Sequence, residues 1–439
     1  MSTGPLLSGR ESVSMESEVL EGAYKKVRWR LLPFIFVCYV VAYLDRVNVG
    51  FAKLTLVKEP WFSDAIFSLG AGLFFVGYFF FEVPSNVLMH KIGARKTLMR
   101  IMALWGITAA CMAFINSATT FYTLRILLGI FEAGFAPGII LYFTYWFPTR
   151  MRAKILAIFL TGVAVSGVIG SPLSGAIMSG MNNLGGLSGW QWLFILEGIP
   201  AVILAIAVPL VLADRPQNAA WLSPQERAAI AKDLAMDETG RDPHSHAKFG
   251  AALRDWRLYM LSFIYFAITA GVYLISFWLP TIINALGKFS AWQTGLITAI
   301  PYSVAVVGMI AISARSDRTD ERKWHCAMAG LVGSLALLST IWSVNVFLSV
   351  ALFSIATAGI FAMMPVFWAI PPKMLAGSAA AGGIAVINSI GTLSGFVSPF
   401  IVGSLKASTG TVTAGLIFMS GLLWVGILVL LKFVPGKRT

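Results

Sequence analysis

LRILLGIFEAGFAPGI, residues Leu124–Ile139, is the stretch that decides how this chain folds. It lies inside a run of 23 mostly apolar residues, 121–143, which is long enough to cross a bilayer as a helix. The run nevertheless carries Arg125 and Glu132, seven residues apart and therefore on one helix face. A charge near the bilayer centre costs roughly 2.5–3.5 kcal/mol on insertion scales. We therefore expect both side chains to face inward, toward a protein-lined or water-filled cavity.

The first apolar run of the chain carries a second pair of charges. Asp45 and Arg46 are adjacent in CYVVAYLDRVNVGF, residues 38–51. The same cost of burying charge in lipid applies to them. Two acids and two bases are therefore expected in one membrane cavity.

The composition is that of a membrane protein that crosses the bilayer many times. Of the 439 residues 57% are apolar and 12% are charged, whereas a soluble protein has about 25% charged residues. All three cysteines fall in apolar runs and predict no disulfide framework. Residues 1–24 are polar and contain no apolar core with a small-residue cleavage site, so we expect no removable signal peptide.

Hydropathy predicts an all-α chain of twelve spans. They lie at about 31–51, 65–89, 98–117, 121–143, 153–177, 192–213, 258–280, 292–314, 326–344, 346–369, 380–405 and 411–432. The longest loop separates six spans from six, which predicts a tail at 1–30, a helix bundle at 31–213, a central loop at 214–257, a second bundle at 258–432 and a tail at 433–439. Inside the loop, Ser223-Pro224-Gln225-Glu226 predicts the start of a short surface helix.

The basic residues predict the orientation of the spans. The two tails and the loops after even-numbered spans hold 27 of the 33 lysines and arginines, and the opposite loops hold four. Under the positive-inside rule both termini and the central loop are cytoplasmic. The net charge of +13 is thereby explained by topology, and nucleic-acid binding is not expected.

The two halves of the sequence repeat weakly. Pro148 and Pro371 follow similar spans and are 223 residues apart. Arg95 and Arg318, in the loops after span 2 and span 8, are also 223 residues apart. SGVIGSP in span 5 is similar to SGFVSP in span 11, where the prolines differ by 227. Such displacements predict duplicated six-helix halves, with a substrate site between them near the midplane, as in secondary transporters.

Several motifs resemble one known family. They are GARKTLMRIMALWG, RILLGIFEAGFAPGIILYFTYWFP, GWQWLFILEGIPA, SDRTDERK and FWAIPPKMLAGSAAAGGIAVINSIG. Together they resemble the anion:cation symporter branch of the major facilitator superfamily, over about residues 25–432. The resemblance implies the major facilitator fold in a bacterial inner membrane. It also implies proton-driven uptake of an organic carboxylate, such as tartrate, a sugar acid or an aromatic acid, by alternating access.

The charged residues suit that chemistry. Arg46 and Arg125 are predicted at similar depths, and a guanidinium can hold a carboxylate through two parallel hydrogen bonds. All four histidines fall in cytoplasmic segments, so Asp45 and Glu132 are the candidate proton carriers. The resemblance implies the same roles at these four positions. The alternative is that each arginine neutralises the acid nearest in sequence, Arg46 with Asp45 and Arg125 with Glu132.

Neutral side chains are expected to complete the site, because displacing the charged positions by 223 gives uncharged residues such as Ile268, Leu348 and Ile355. The candidates are Trp368 and Asn388 in the second half and Tyr43 and Tyr78 in the first. The alternative for the three aromatic residues is helix packing or anchoring at the membrane interface. The remaining membrane acids, Glu82 and Glu197, are expected to be structural and to bond exposed backbone or loop arginines.

Two sets of residues are candidates for gating. Glycines and prolines in span 5 and span 11 permit either a pivot or simply close helix packing (Gly162, Gly167, Gly170, Pro172, Gly391, Gly395, Pro399). The loops with Arg95 and with Asp317, Arg318 and Arg322 resemble the superfamily's cytoplasmic gate motif. The first loop lacks the acid that commonly precedes its arginine.

Four functions compete at this point. The first is a symporter that moves a small carboxylate with protons, and it is expected to act as a monomer with no cofactor beyond the coupling proton. The second is a proton-coupled exporter of an organic solute, although paired arginines would repel a cation. The third is a membrane enzyme, for which no metal-ligand, phosphate-loop or Ser/His/acid motif is present in the spans. The fourth is a sensor that binds without translocating.

Overall fold

The computed structural model describes residues 4–239, 254–343, 345–375 and 378–436. Twelve helices in these ranges are long and apolar enough to cross a membrane. Numbered in chain order, these spans are Glu16–Leu56, Asp64–Ile92, Ala94–Phe114, Ala118–Trp146, Thr149–Gly180, Gly189–Val211, Trp256–Gly287, Ala291–Thr319, Lys323–Trp342, Val346–Trp368, Gly383–Thr409 and Thr413–Phe433. The prediction of twelve spans is confirmed. Twelve crossings bring both chain ends to one side, here named the terminal face, and the other side is the far face.

Several spans consist of more than one helical segment. Span 1 joins the helices Gly4–Val47 and Val49–Leu56, and span 4 joins Ala118–Glu132 and Phe135–Trp146. Spans 3 and 9 end in short 3-10 turns. The helix of span 11 begins at Ser378, and two shorter helices, Pro224–Thr239 and Pro371–Met374, lie outside the spans.

The twelve spans form two six-helix bundles that meet along two seams. Within the first half span 3 packs on span 6 and span 2 on span 4, and within the second half span 8 packs on span 10 and span 7 on span 11. The halves meet where span 5 packs on span 8 and where span 2 packs on span 11. If span 2 corresponds to span 8 and span 5 to span 11, each seam is the symmetry mate of the other. This is the arrangement that a duplicated six-helix unit predicts.

The helix boundaries correct the displacement between the halves. Span 2 begins at Asp64 and span 8 at Ala291, which differ by 227, whereas span 4 and span 10 begin 228 residues apart. The displacement is therefore not constant along the repeat, since the ends of span 4 and span 10, Trp146 and Trp368, differ by 222. At 227 the counterpart of Arg46 is Tyr273, and at 228 those of Arg125 and Glu132 are Phe353 and Ile360, so the second half is still uncharged at these positions.

The central segment begins with a helix docked on the first half. Ser223 and Glu226 form the predicted capping box, in which the Ser223 N–H donates to Glu226 Oε2 at 2.8 Å and the Glu226 N–H donates to Ser223 Oγ at 3.2 Å. The Lys26 ammonium lies 2.6 Å from the Glu226 carboxylate. Farther along, the Tyr24 hydroxyl donates to Asp233. The predicted surface helix is confirmed, and it packs on the N-terminal end of span 1.

The loop before span 3 obtains its missing acid from the segment that follows span 6. Gly93 has a φ of +89°, and its conformation turns the chain so that the Arg95 N–H donates to Asp214 Oδ1 at 2.9 Å. The Arg95 guanidinium also donates to the carbonyl of Pro209. A side chain at Gly93 would collide with the Asp214 carboxylate. Asp214, which is 119 residues away in sequence, therefore fixes the start of span 3.

The glycines of spans 5 and 11 make room for side chains of neighbouring helices. A methyl group at Gly391 would overlap the ring of Tyr265, and one at Gly395 would overlap the ring of Phe75. In span 5, Gly167 faces Tyr302 in the same way. Close packing accounts for these positions, and a pivot at Pro172 and Pro399 stays a prediction.

Candidate functional site

The centre of the molecule holds an ion pair between span 1 and span 4. Arg46 Nε donates to Glu132 Oε1 at 3.1 Å, and a second guanidinium nitrogen donates to the same oxygen. Glu132 is 1% exposed and ends the first helix of span 4, where Gly134 has a φ of +86°. Its carboxylate thus meets Arg46 of span 1 at the point where the helix of span 4 is interrupted. Neither of the two pairings anticipated from sequence proximity is present.

Arg125 lies beside this pair, and its side chain bonds to backbone. Its Nε donates to the carbonyl of Gly70 at 3.1 Å, and its Nη2 donates to that of Ala71 at 3.3 Å. No carboxylate among the described residues lies within 4 Å of it. The guanidinium carbons of Arg46 and Arg125 lie 5.2 and 5.0 Å from the centroid of the same Phe74 ring. The structure thus places both arginines around one aromatic ring and pairs one of them with an acid.

Asp45 points away from this centre, against the expectation of a four-charge cavity. Its Oδ2 accepts a hydrogen bond of 2.7 Å from Trp105 Nε1 in span 3. The physical reason is helix geometry, since adjacent residues are about 100° apart around a helix of 3.6 residues per turn. With Arg46 directed between the two halves, Asp45 is directed into the first bundle.

Aromatic residues surround the Arg46 guanidinium. Its central carbon lies 5.7 Å from the ring of Tyr43 and 5.2 Å from that of Tyr78. The Tyr43 hydroxyl lies 3.3 Å from Ser276 Oγ in span 7. The two aromatic candidates of the first half are therefore brought to the arginine, where their faces stabilise a buried cation.

Tyr273 and Ser276 belong to the site and were missed from the sequence. Arg46 Nη1 donates to the Tyr273 hydroxyl at 3.4 Å. Tyr273 follows Arg46 by 227 residues, which is the displacement between span 2 and span 8. The correct register of the repeat would have identified it, because residues related by the symmetry axis of the two halves face each other near that axis.

Trp368 and Asn388 lie in the second half, and each contacts a residue other than Arg46. The ring of Trp368 packs on Tyr265, with centroids 4.8 Å apart. The Asn388 amide donates to Glu82 Oε1 of span 2 at 2.9 Å, and the Ser389 hydroxyl donates to Glu82 Oε2 at 3.3 Å. The expectation that Glu82 would bond backbone or loop arginines is therefore wrong.

Glu197 also differs from its expectation. Its Oε1 accepts a hydrogen bond of 2.6 Å from the Ser174 hydroxyl in span 5. Spans 5 and 6 belong to the same half, so this contact joins two helices of one bundle. Glu197 therefore has a structural role, because it holds two helices of one bundle together. Its partner is a serine side chain rather than backbone or an arginine.

The candidate gate loop of the second half carries an ion pair on the terminal face. Arg322 Nη1 lies 2.5 Å from Asp317 Oδ1, and the same nitrogen donates to Ser316 Oγ at 3.0 Å. Arg318 is exposed in the last turn of span 8. The Ser316 hydroxyl in turn donates to the Glu321 carbonyl, which closes the turn between spans 8 and 9.

Two bundles of six spans around a buried, charged centre define a polytopic membrane transporter. Residues 35–399 match the family model described as Major Facilitator Superfamily. The chain belongs to this superfamily, whose members are transporters and not enzymes, and the expected family is confirmed.

Individual relatives and structures agree with this assignment. A protein of Agrobacterium vitis that is named as a tartrate transporter is 45% identical over 416 residues, which cover 95% of this chain and 92% of the relative. A quinolone resistance transporter of Acinetobacter baumannii is 40% identical, covering 92% and 93%. The xylose transporter XylE from E. coli, in a partially occluded inward-open conformation, has a TM-score of 0.74 at 14% identity, covering 94% and 99%.

Proposed function

We propose that the protein takes up a small organic carboxylate together with protons, by alternating access, and acts as a monomer. The environment of Arg125 supports this proposal. Arg125 is buried, its guanidinium carbon and that of Arg46 lie 5.0 and 5.2 Å from the centroid of the Phe74 ring, and it has no carboxylate of the described residues within 4 Å. A buried guanidinium that lacks a carboxylate suits an anionic partner, because charged groups in a membrane protein are stabilised by pairing.

Arg46, Tyr43, Tyr78 and Asn388 are proposed to complete the binding site with Arg125, and Trp368 to limit its width. Arg46 is held by Glu132, so an incoming carboxylate competes with Glu132 for the guanidinium. Glu132 then loses its counter-charge in a buried position, where a neutral carboxyl is the cheaper form. This exchange couples substrate binding to proton uptake at Glu132. Asp45, which is hydrogen-bonded to Trp105, is proposed as a second proton site within the first bundle.

We propose that the terminal face is cytoplasmic and that the membrane is a bacterial inner membrane. The support is the excess of lysine and arginine in the tails and in the loops on that side. On this basis the far face is periplasmic, and the boundaries 31–213 and 258–432 separate two halves that rock against each other. Arg95, Asp317, Arg318 and Arg322 then lie at the cytoplasmic ends of the spans, where they are proposed to gate.

The test is uptake by purified full-length protein in proteoliposomes, with internal pH recorded. Tartrate, a sugar acid and an aromatic acid are offered separately, with neutral xylose as the control solute. Accumulation of one carboxylate with simultaneous internal acidification is expected. Uptake that is unaffected by a pH gradient in every case would contradict proton coupling, and absence of uptake of all three acids would contradict the substrate class.

Export is the second candidate, favoured by the 40% identity to a quinolone resistance transporter. In this case the same site would bind solute from the cytoplasmic side and exchange it for protons. Vesicles preloaded with a quinolone distinguish the two functions. Efflux driven by an inward proton gradient, without accumulation of any of the three acids, would replace the uptake proposal.

A further inference from the structure

Glu82 joins the two halves of the protein at a point between the buried centre and the terminal face. It lies in span 2 and bonds Asn388 and Ser389 in span 11, at 2.9 and 3.3 Å. It is 3% exposed. Among the described residues it takes part in no ion pair within 4 Å. The donors to its carboxyl group among the described residues are thus side chains of the opposite half.

The geometry of this contact is that of a bound carboxylate. One carboxyl oxygen accepts from an amide and the other from a hydroxyl, so both oxygens are occupied by neutral donors. Neutral amides and hydroxyls are also the groups that a transporter offers to a substrate carboxylate or hydroxyl. Asn388 is one of the proposed substrate ligands. An internal carboxyl group therefore occupies Asn388, a donor that the proposed function assigns to the substrate.

We propose that Glu82 is a latch that holds the terminal side of the empty carrier closed, and that substrate competes with it for Asn388 and Ser389. The proposal rests on the proposed function, because the competitor is the transported anion. Binding of substrate to Asn388 removes the contact between span 2 and span 11. Loss of substrate restores it, so the empty carrier closes on its own carboxyl group.

The latch has a position that suits this role. Glu82 lies eighteen residues after Asp64 in span 2, and Asn388 lies eighteen residues before Lys406 in span 11. Asp64 and Lys406 are themselves joined at the far face, with Lys406 Nζ 2.7 Å from Asp64 Oδ2. At 1.5 Å per residue the two contacts are about 27 Å apart along the same pair of helices. The latch can therefore break while the far-face contact holds.

The experiment compares Glu82→Ala, which removes both acceptors, with Glu82→Gln, which keeps one. Glu197→Gln is the matched control, because Glu197 is also a buried carboxyl bonded to a serine, but within one half.

Binding of tartrate, a sugar acid and an aromatic acid to the full-length protein is measured by calorimetry. In the ligand-free protein, electron-resonance distances are measured between labels at Lys91→Cys and Arg315→Cys, two exposed positions on opposite halves of the terminal face. The exposed Cys111 is replaced by Ser.

In Glu82→Ala we expect the binding constant for the transported acid to tighten about tenfold and the label distance to lengthen without ligand. We expect a smaller change of both in Glu82→Gln and none in Glu197→Gln. If Glu82→Ala binds the acid with unchanged or lower affinity and the distance between the labels is unchanged, the latch proposal is wrong. If the parent protein binds none of the acids, the proposed function and the competition fail together. In that event a longer distance in Glu82→Ala still identifies a closing contact, and an unchanged distance excludes it.

Discussion

At the scale of single residues, the centre of this protein depends on which acid meets which arginine. Arg46 pairs with Glu132 from another helix, and Arg125 bonds the carbonyls of Gly70 and Ala71. The sequence identified all three charged residues as inward-facing, because charge in lipid is costly. It could not identify the partners, since these depend on the rotation of span 1 relative to span 4.

Arg46→Gln tests the role of the paired arginine. Glutamine still donates to Glu132 but cannot grip a carboxylate with two charged donors, so we expect uptake of the transported acid to fall at least a hundredfold. Uptake of labelled substrate is measured together with the amount of protein inserted in the membrane. Lys58→Gln, an exposed position between spans 1 and 2, is the control and should transport normally. Uptake by Arg46→Gln with unchanged affinity would remove Arg46 from the site.

Glu132→Gln tests the proton-coupling residue. The amide keeps the hydrogen bond to Arg46 but cannot gain or lose a proton. We expect exchange of labelled for unlabelled substrate to continue while accumulation against a gradient is lost, and the pH dependence of exchange to disappear. Accumulation that survives the substitution would show that another acid carries the coupled proton, and Asp45→Asn would then be measured in the same way.

At the scale of elements, local sequence signals describe where helices begin but not how they are interrupted. Ser117, Ser223 and Ser290 each begin a helix through a capping box, which sequence patterns can identify. Span 4 was expected to be continuous, yet it breaks at Ala133–Gly134. Glycine permits the left-handed conformation at this point, and the close approach of span 2 leaves no room for a side chain, since a methyl group at Gly134 would overlap Ser85.

The helix Pro224–Thr239 supplies a pH-dependent prediction at this scale. Lys26, the Ser223 N–H and the Ser223 hydroxyl lower the pKa of Glu226 below its ordinary value of about 4.3. For a carboxyl group with a lowered pKa, the stabilisation is complete above the unfolded pKa and is lost as the pH falls through the folded one. We therefore expect hydrogen-exchange protection of this helix to decrease on acidification below about pH 4.3.

The matched variant for this prediction is Glu226→Gln. A cap contributes about 1 kcal/mol, so protection of the helix at pH 7 should fall about fivefold. The pH dependence of protection should also become smaller, with other acids of the helix accounting for the remainder. Equal pH dependence in the parent protein and the variant would contradict the assignment to Glu226.

At the scale of the whole molecule, span 2 and span 11 are joined at two depths. The far-face contact is an ion cluster in which Asp64 lies 2.6 Å from Lys53 Nζ and 2.7 Å from Lys406 Nζ. The Lys53 ammonium also lies 3.6 Å from the centroid of the Trp278 ring in the second half. Lys53 and Asp64 belong to the first half, so opening the far face separates Asp64 from Lys406 and Lys53 from Trp278.

Asp64→Asn is expected to weaken closure of the far face. The substitution leaves two lysines without their shared counter-charge, and their repulsion favours separation of the halves. Reaction of Ser171→Cys, a buried position on the seam between span 5 and span 8, with a membrane-impermeant maleimide should accelerate several-fold. Glu59→Gln, a neighbouring acid outside the cluster, is the control. An unchanged rate in Asp64→Asn would show that this cluster does not hold the far face.

The sequence by itself determined the class of fold, the number of spans, the duplicated halves and the charged residues of the centre. These follow from the length of apolar runs, the placement of lysine and arginine, and the cost of burying charge in lipid, all of which are properties of composition along the chain. Only the tertiary structure decided that Asp45 leaves the cavity, that Arg46 meets Glu132 and Tyr273, and that Asp214 and Glu82 bond distant helices. Each of these contacts depends on the rotation and register of helices packed far apart in sequence, which no local pattern specifies.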